Sequence, residues 1–104
     1  MKYYQQGDVL LFVDEKPKSG KKVRAKNGRL ILAEGEATGH AHAIKAGDGV
    51  SLMECDGSLF LSTEKRVTIK HEEHKAVTIP PGDYRIGKVR EYDHFEEESK
   101  FVQD

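Results

Sequence analysis

Four of the five histidines in this 104-residue chain fall in two short segments, Gly35-Glu-Ala-Thr-Gly-His-Ala-His42 and His71-Glu-Glu-His74. Neutral imidazole is the commonest biological metal ligand, and two rings two residues apart on a strand can share one divalent ion. His40 and His42 have that spacing. His71 and His74 would add a third and a fourth nitrogen, giving a site suited to Zn, Fe, Mn, Ni or Cu. Three histidines with a water make an open, catalytic kind of site; four make a closed, structural one. Carboxylates sit in the same segments. Glu36 and Glu73 are the candidate bases for a metal-activated water, which points to hydrolytic or lyase chemistry on a small-molecule substrate. Glu54 and Glu72 could serve as ligands or orient an imidazole N–H.

The bland alternative is a set of hydrogen-bonded core or rim histidines. Single H-x-H pairs occur on surface strands, and polar turns readily hold both residue types of His-Glu-Glu-His. The latter also differs from H-E-x-x-H, whose histidines lie four apart on a helix. Strand parity favours the metal reading. Alternate residues of a strand share a face, so His40, His42 and Ile44 point one way while Ala41 and Ala43 point the other. Val67, Ile69 and His71 share a face in the same manner, which puts His71 at the inner rim where a turn begins. His74 can then fold back over the turn.

The elements that must position these rings read as strands. Val9-Leu-Leu-Phe-Val13 is a short apolar run expected to be buried on both sides. Lys21 to Lys26 and Arg29 to Ala33 flank Asn27-Gly28, a pair suited to the positive φ angles of a type I′ turn, and so predict a β-hairpin. Further strands are expected from His40 to Lys45, Val50 to Cys55, Ser58 to Ser62, Arg66 to His71, Lys75 to Ile79 and Tyr84 to Tyr92. The turns between them carry Gly47-Asp-Gly49, Asp56-Gly57 and Pro80-Pro-Gly-Asp83. Apolar parity slips across Gly87, which predicts a bulge there. Residues 94–102 could form one short helix. The expected architecture is an all-β single domain over residues 1–104, a small barrel or sandwich of about eight short antiparallel strands.

Composition limits the function classes. Charged residues make up 34%, aromatics 8% and Trp is absent, so the core is thin and the surface well solvated. A net charge of −1 argues against a generic polyanion binder. Seven of the 17 Lys and Arg lie between Lys16 and Arg29, while the end from Glu91 to Asp104 is acidic. That split reads as two solvated surfaces or a self-complementary pair, with homo-oligomers as one outcome. The basic run lacks the interleaved aromatics that would stack on nucleic-acid bases. Cys55 is alone, so a reducing cytoplasm is expected. It has the parity opposite to Val50 and Leu52 and no activating context for nucleophilic work. No apolar run reaches membrane-spanning length, and no Gly-rich phosphate loop precedes a helix.

The ordered set Gln6-Gly-Asp-Val-Leu-Leu11, Gly35-Glu-Ala-Thr-Gly-His-Ala-His42, His71-Glu-Glu-His74, Pro80-Pro-Gly-Asp-Tyr84 and Arg90-Glu-Tyr-Asp93 resembles a family of small uncharacterised proteins of bacteria and their phages. The resemblance covers nearly the whole chain, brings no activity with it, and adds Arg90, Tyr92 and Asp93 to the residues of interest. A looser similarity is to the cupins, β-barrels with a His-x-His metal site. Gly35 and His40-x-His42 are similar to the first cupin motif and Pro80-Pro-Gly82 to the second. Here one residue is missing between Gly35 and His40, no Glu follows His42 at the usual gap, and the later histidines precede Pro80. Two functions follow: a cytoplasmic metal-binding β protein using His40, His42, His71 and His74, or a metal-free protein-interaction module of phage or bacterial origin.

Overall fold

The computed structural model describes residues 2–35 and 39–89. Within them the chain forms ten strands and no helix: β1 (Tyr3–Gln6), β2 (Val9–Val13), β3 (Lys21–Val23), β4 (Arg29–Glu34), β5 (Ala41–Lys45), β6 (Val50–Cys55), β7 (Ser58–Thr63), β8 (Val67–Lys70), β9 (Val77–Ile79) and β10 (Gly82–Lys88). Six of them make one sheet in the order β1-β2-β10-β7-β6-β3, and four make a second in the order β4-β5-β8-β9. The sheets are not closed into a barrel. Their inner faces share one apolar core, with Leu11, Leu52, Leu61 and Tyr84 from the first sheet against Leu30, Ile44, Ile69 and Ile79 from the second. The architecture is therefore the sandwich of the two expected alternatives.

The sequence explains most of these elements. Val9, Leu10, Leu11 and Phe12 are all buried, as expected of a strand covered on both faces. β2 earns that position by lying between β1 and β10. On the outer side the Arg85 guanidinium stacks 4.8 Å from the Phe12 ring centroid. Asp56 and Gly57, with φ of 52° and 82°, turn β6 into β7 in the tight two-residue form. Cys55 and Ser58 are the pair that flanks this turn.

Two expectations are corrected. Asn27 and Gly28 do take positive φ, 52° and 77°, and the Lys26 and Arg29 backbones exchange hydrogen bonds of 2.8 and 3.0 Å across the turn. The arms then part, β3 pairing with β6 and β4 with β5. The turn is thus a corner between sheets and not the head of a hairpin. At Gly87 the ladder with β2 runs without a break from Tyr84↔Val13 to Lys88↔Val9. Val89, which suggested the bulge, simply lies past the end of the strand. The register shift is found in β4, between Ile31 and Ala33, where the extra residue, Leu32, is buried. The proposed helix at 94–102, along with Arg90, Tyr92 and Asp93, lies outside the described residues. β1 is the strand that the sequence reading did not include.

Leu61 is fully buried, opposite Leu52 on one side and Tyr84 on the other. Leu61→Ala is expected to cost about 3 kcal/mol, as for a core methyl-group deletion with little collapse. A urea midpoint unchanged within error would contradict this packing.

Candidate metal centre

β5 begins at Ala41 and β8 ends at Lys70, and the registered pairs Ala43↔Lys70 and Ile44↔Ile69 align them antiparallel. Continuing that register sets His42 beside His71, and their ring centroids lie 4.3 Å apart. The 71–74 segment is a turn whose fold brings His74 back over His71, 4.6 Å centroid to centroid, and into a stacked position 5.7 Å from His42. Glu72 anchors that turn by accepting the Ala41 N–H at 3.0 Å. This bond is the main reason its carboxyl is held below the usual carboxylate range. The opposite wall is the Gly7-Asp8 turn between β1 and β2. Gly7 has φ +60°, a backbone region that favours glycine, and it lets the His74 ring lie close, since a Cβ there would stand 2.6 Å from Nε2.

His42 is 2% exposed, and its tautomer follows from its partner. The Gln6 side-chain amide, equally buried, donates both N–H groups to backbone carbonyls, of Ile69 at 2.9 Å and Lys75 at 2.9 Å. Its Oε1 can only accept, and it lies 2.8 Å from His42 Nδ1. His42 therefore carries its proton on Nδ1 and turns the Nε2 lone pair toward the cavity, 3.8 Å from Asp8 Oδ1. Burial, reinforced by His71, lowers the His42 pKa to about 4 even though Asp8 opposes the shift. The ring is neutral near pH 7, the form a metal needs.

One nitrogen each from His42, His71 and His74 lies within 4.8 Å of the other two. A tetrahedral ion with bonds of about 2.1 Å would hold its nitrogens about 3.4 Å apart, so the rings would close by about 1 Å to share it. His71 would also change its bonding. Its Nδ1 accepts the Glu73 N–H at 3.0 Å, which places a neutral ring's proton on Nε2. Binding through either nitrogen releases that amide.

His40 stands outside this trio. It lines the same cavity as His42 but nearer the rim, its side chain 27% exposed with Nδ1 3.3 Å from Glu73 Oε2. Its ring is edge-on to His71 at 5.9 Å, and its carbonyl accepts the Gly35 N–H at 2.7 Å. Glu73 is an exposed rim group beside His40. Glu36 lies outside the described residues, and Glu54 is exposed on β6, away from the cavity. The cavity over the histidines, about 590 Å³, is lined as well by Asp8, Glu34, Glu73 and Lys88. Cys55 has its thiol pushed up by desolvation and by Asp56, the reverse of nucleophilic activation.

The family model matches residues 5–88. The chain belongs to the family described as Domain of unknown function (DUF8820). Its membership agrees with the resemblance to an uncharacterised family, and the matched span contains every histidine of the cluster. No curated protein and no solved structure matches the chain. Among the described residues no helix is long and apolar enough to cross a membrane.

Sequence reasoning missed Gln6, Asp8 and Lys88. The available signal was the Gly7-Asp8 turn, which pairs Gln6 with Val9 and so gives a polar residue the parity of a core position.

Gln6→Leu would leave the His42 N–H and the two carbonyls without partners and is expected to cost about 2–4 kcal/mol in denaturant melts. The His42 shift gives a pH signature in metal-free protein. The unfolded chain, with a histidine pKa near 6.5, binds this proton before the folded one does. Stability is therefore full above about pH 6.5 and falls as pH drops toward 4. A shift of this size corresponds to roughly 3 kcal/mol; screening at the open cavity reduces the expected loss to about 2 kcal/mol. Thermal melts between pH 4 and 8 should show that slope, flattened in His42→Asn.

Proposed function

We propose that this protein binds one divalent transition metal through His42, His71 and His74. The supporting observation is that one nitrogen from each of three imidazoles lies within 4.8 Å of the other two, with one ring held in the ligating tautomer by a buried amide. The fourth position would face the cavity, where Asp8 and Glu73 stand as carboxylates able to take a proton from a metal-bound water. That arrangement suits a metal-dependent hydrolase or lyase acting on a small molecule. His40, paired with Glu73, would orient that carboxylate and would not bind the ion.

Metal analysis of untagged protein grown with Zn, Fe, Mn and Ni should find one equivalent. Titration to a hundred times Kd should stabilise the fold by about 2.7 kcal/mol, on the order of 10 °C in a domain of this size. His42→Ala and His71→Ala should each abolish that rise, whereas His40→Ala should retain the ion. The Glu73 amide resonance should move on binding. Full occupancy in His42→Ala would place the metal elsewhere, and absence of uptake by the wild type would overturn the proposal. Hydrolysis of activated phosphate and carboxylate esters by the metal-loaded protein, lost in Glu73→Gln with the ion still bound, tests the catalytic half.

A further inference from the structure

The end of the sandwich opposite the histidines has a different chemistry. β5 runs away from His42 toward Lys45, and β8 starts there, yet the two strands are registered only at Ala43↔Lys70 and Ile44↔Ile69. Beyond Ile44 they separate. The gap is an open groove of about 740 Å³ with Ala43, Ile44, Ala46 and Val67 on its floor and walls. Its charged lining is wholly cationic: Arg29, Lys45, Lys65, Arg66 and Lys70. None of the five forms an ion pair among the described residues. Asp48 and Glu64, in the adjoining turns, do not line it. Lys65 Nζ reaches in over Gly47, 3.5 Å from where a Cβ would stand.

A second groove, of about 360 Å³, shares Ala46 and Gly47 with the first and adds Lys22 and Arg24. Lys22, Arg24, Arg29, Lys45, Lys65 and Arg66 thus gather at one end of a molecule whose net charge is −1, with Asp48 and Glu64 in the turns beside them and Lys70 farther along β8. Like charges brought together in this way repel and lower stability unless a counter-charge joins them. Two of the guanidiniums, Arg29 and Arg66, line the larger groove and offer planar forks for oxyanions. The lining contains no aromatic ring on which a nucleobase could stack, which favours a compact anion over a polynucleotide.

We propose that the β5–β8 groove is a binding site for a small organic anion bearing two or more negative charges, as phosphate or carboxylate. Its charged groups lie among Lys45, Lys65 and Arg66, and its apolar body rests against Ala46 and the edge of Val67. The site is separate from the histidine cluster and does not depend on it.

The test is an amide-resolved NMR titration of the metal-free full chain with inorganic pyrophosphate, with citrate and with a twenty-nucleotide thymidine oligomer, in low salt. Saturable shifts at Ala46, Gly47, Lys65 and Arg66, with little change at His42, are expected for pyrophosphate or citrate. The tighter of the two identifies a phosphorylated or a polycarboxylate ligand, and either supports the site. The double variant Lys65→Glu, Arg66→Glu, checked for an unchanged fold by its remaining amide spectrum, should weaken binding at least ten-fold. Should that variant not fold, Lys65→Gln with Arg66→Gln serves the same purpose. Absence of saturable shifts with both small anions overturns the proposal. So does undiminished affinity in the variant, or tighter binding of the oligonucleotide than of either small anion.

Discussion

The structure turns on one buried amide. Gln6 sits at the end of β1 in the first sheet, and its side chain spans to the second sheet, satisfying the Ile69 and Lys75 carbonyls and the His42 ring together. Each of those groups would be costly to bury alone. Their mutual satisfaction ties β1, β5, β8 and the segment before β9 at a single point. It also decides which nitrogen of His42 faces the cavity. A core made only of leucine and valine could hold the sheets at the same spacing but could not orient an imidazole.

Around that point the two ends of the sandwich have diverged. At one end the sheets are bridged by hydrogen bonds, and the rings, the Gly7 turn and the carboxylates close in. At the other the strands of the smaller sheet spread, and cations collect over apolar residues. β5 and β8 connect the two, with His42 and His71 near one end and Lys45 and Arg66 near the other. The short β5–β8 ladder suits both arrangements, since two registered pairs align the histidines while leaving the far ends free to part.

How much of this was legible in the sequence depended on whether the governing signal was local. The inward direction of His42 could be read because β5 alternates regularly and Ile44 is a core residue. The same parity brings His40 into the cavity lining, but it could not say that this ring would pair with Glu73 and lie outside the trio of nitrogens. Asn27-Gly28 specified its turn correctly but could not say that its two arms would join different sheets, which is settled by the long-range pairing of β3 with β6. Gln6 was overlooked because Tyr-Tyr-Gln-Gln has little apolar character, and its burial is imposed by the Val9 pairing and by partners more than sixty residues away. Turn spacing left barrel and sandwich open as alternatives, and only the long-range pairing into two sheets decides between them.

The placing of β10 has a consequence for how the chain reaches this state. It is the last strand described, yet it lies in the middle of the larger sheet, between β2 and β7. The hairpins β1–β2 and β6–β7 can form from local sequence, but each keeps an unpaired edge until β10 arrives. One of those edges, β2, is among the most apolar segments of the protein. Such an edge is a template for pairing with other chains while it stays open, and closure across this much sequence is slow. Survival of the newly made chain is therefore a race between β10 and its neighbours' strands, and the lysines along the outer strand β3 guard only the opposite border of the sheet.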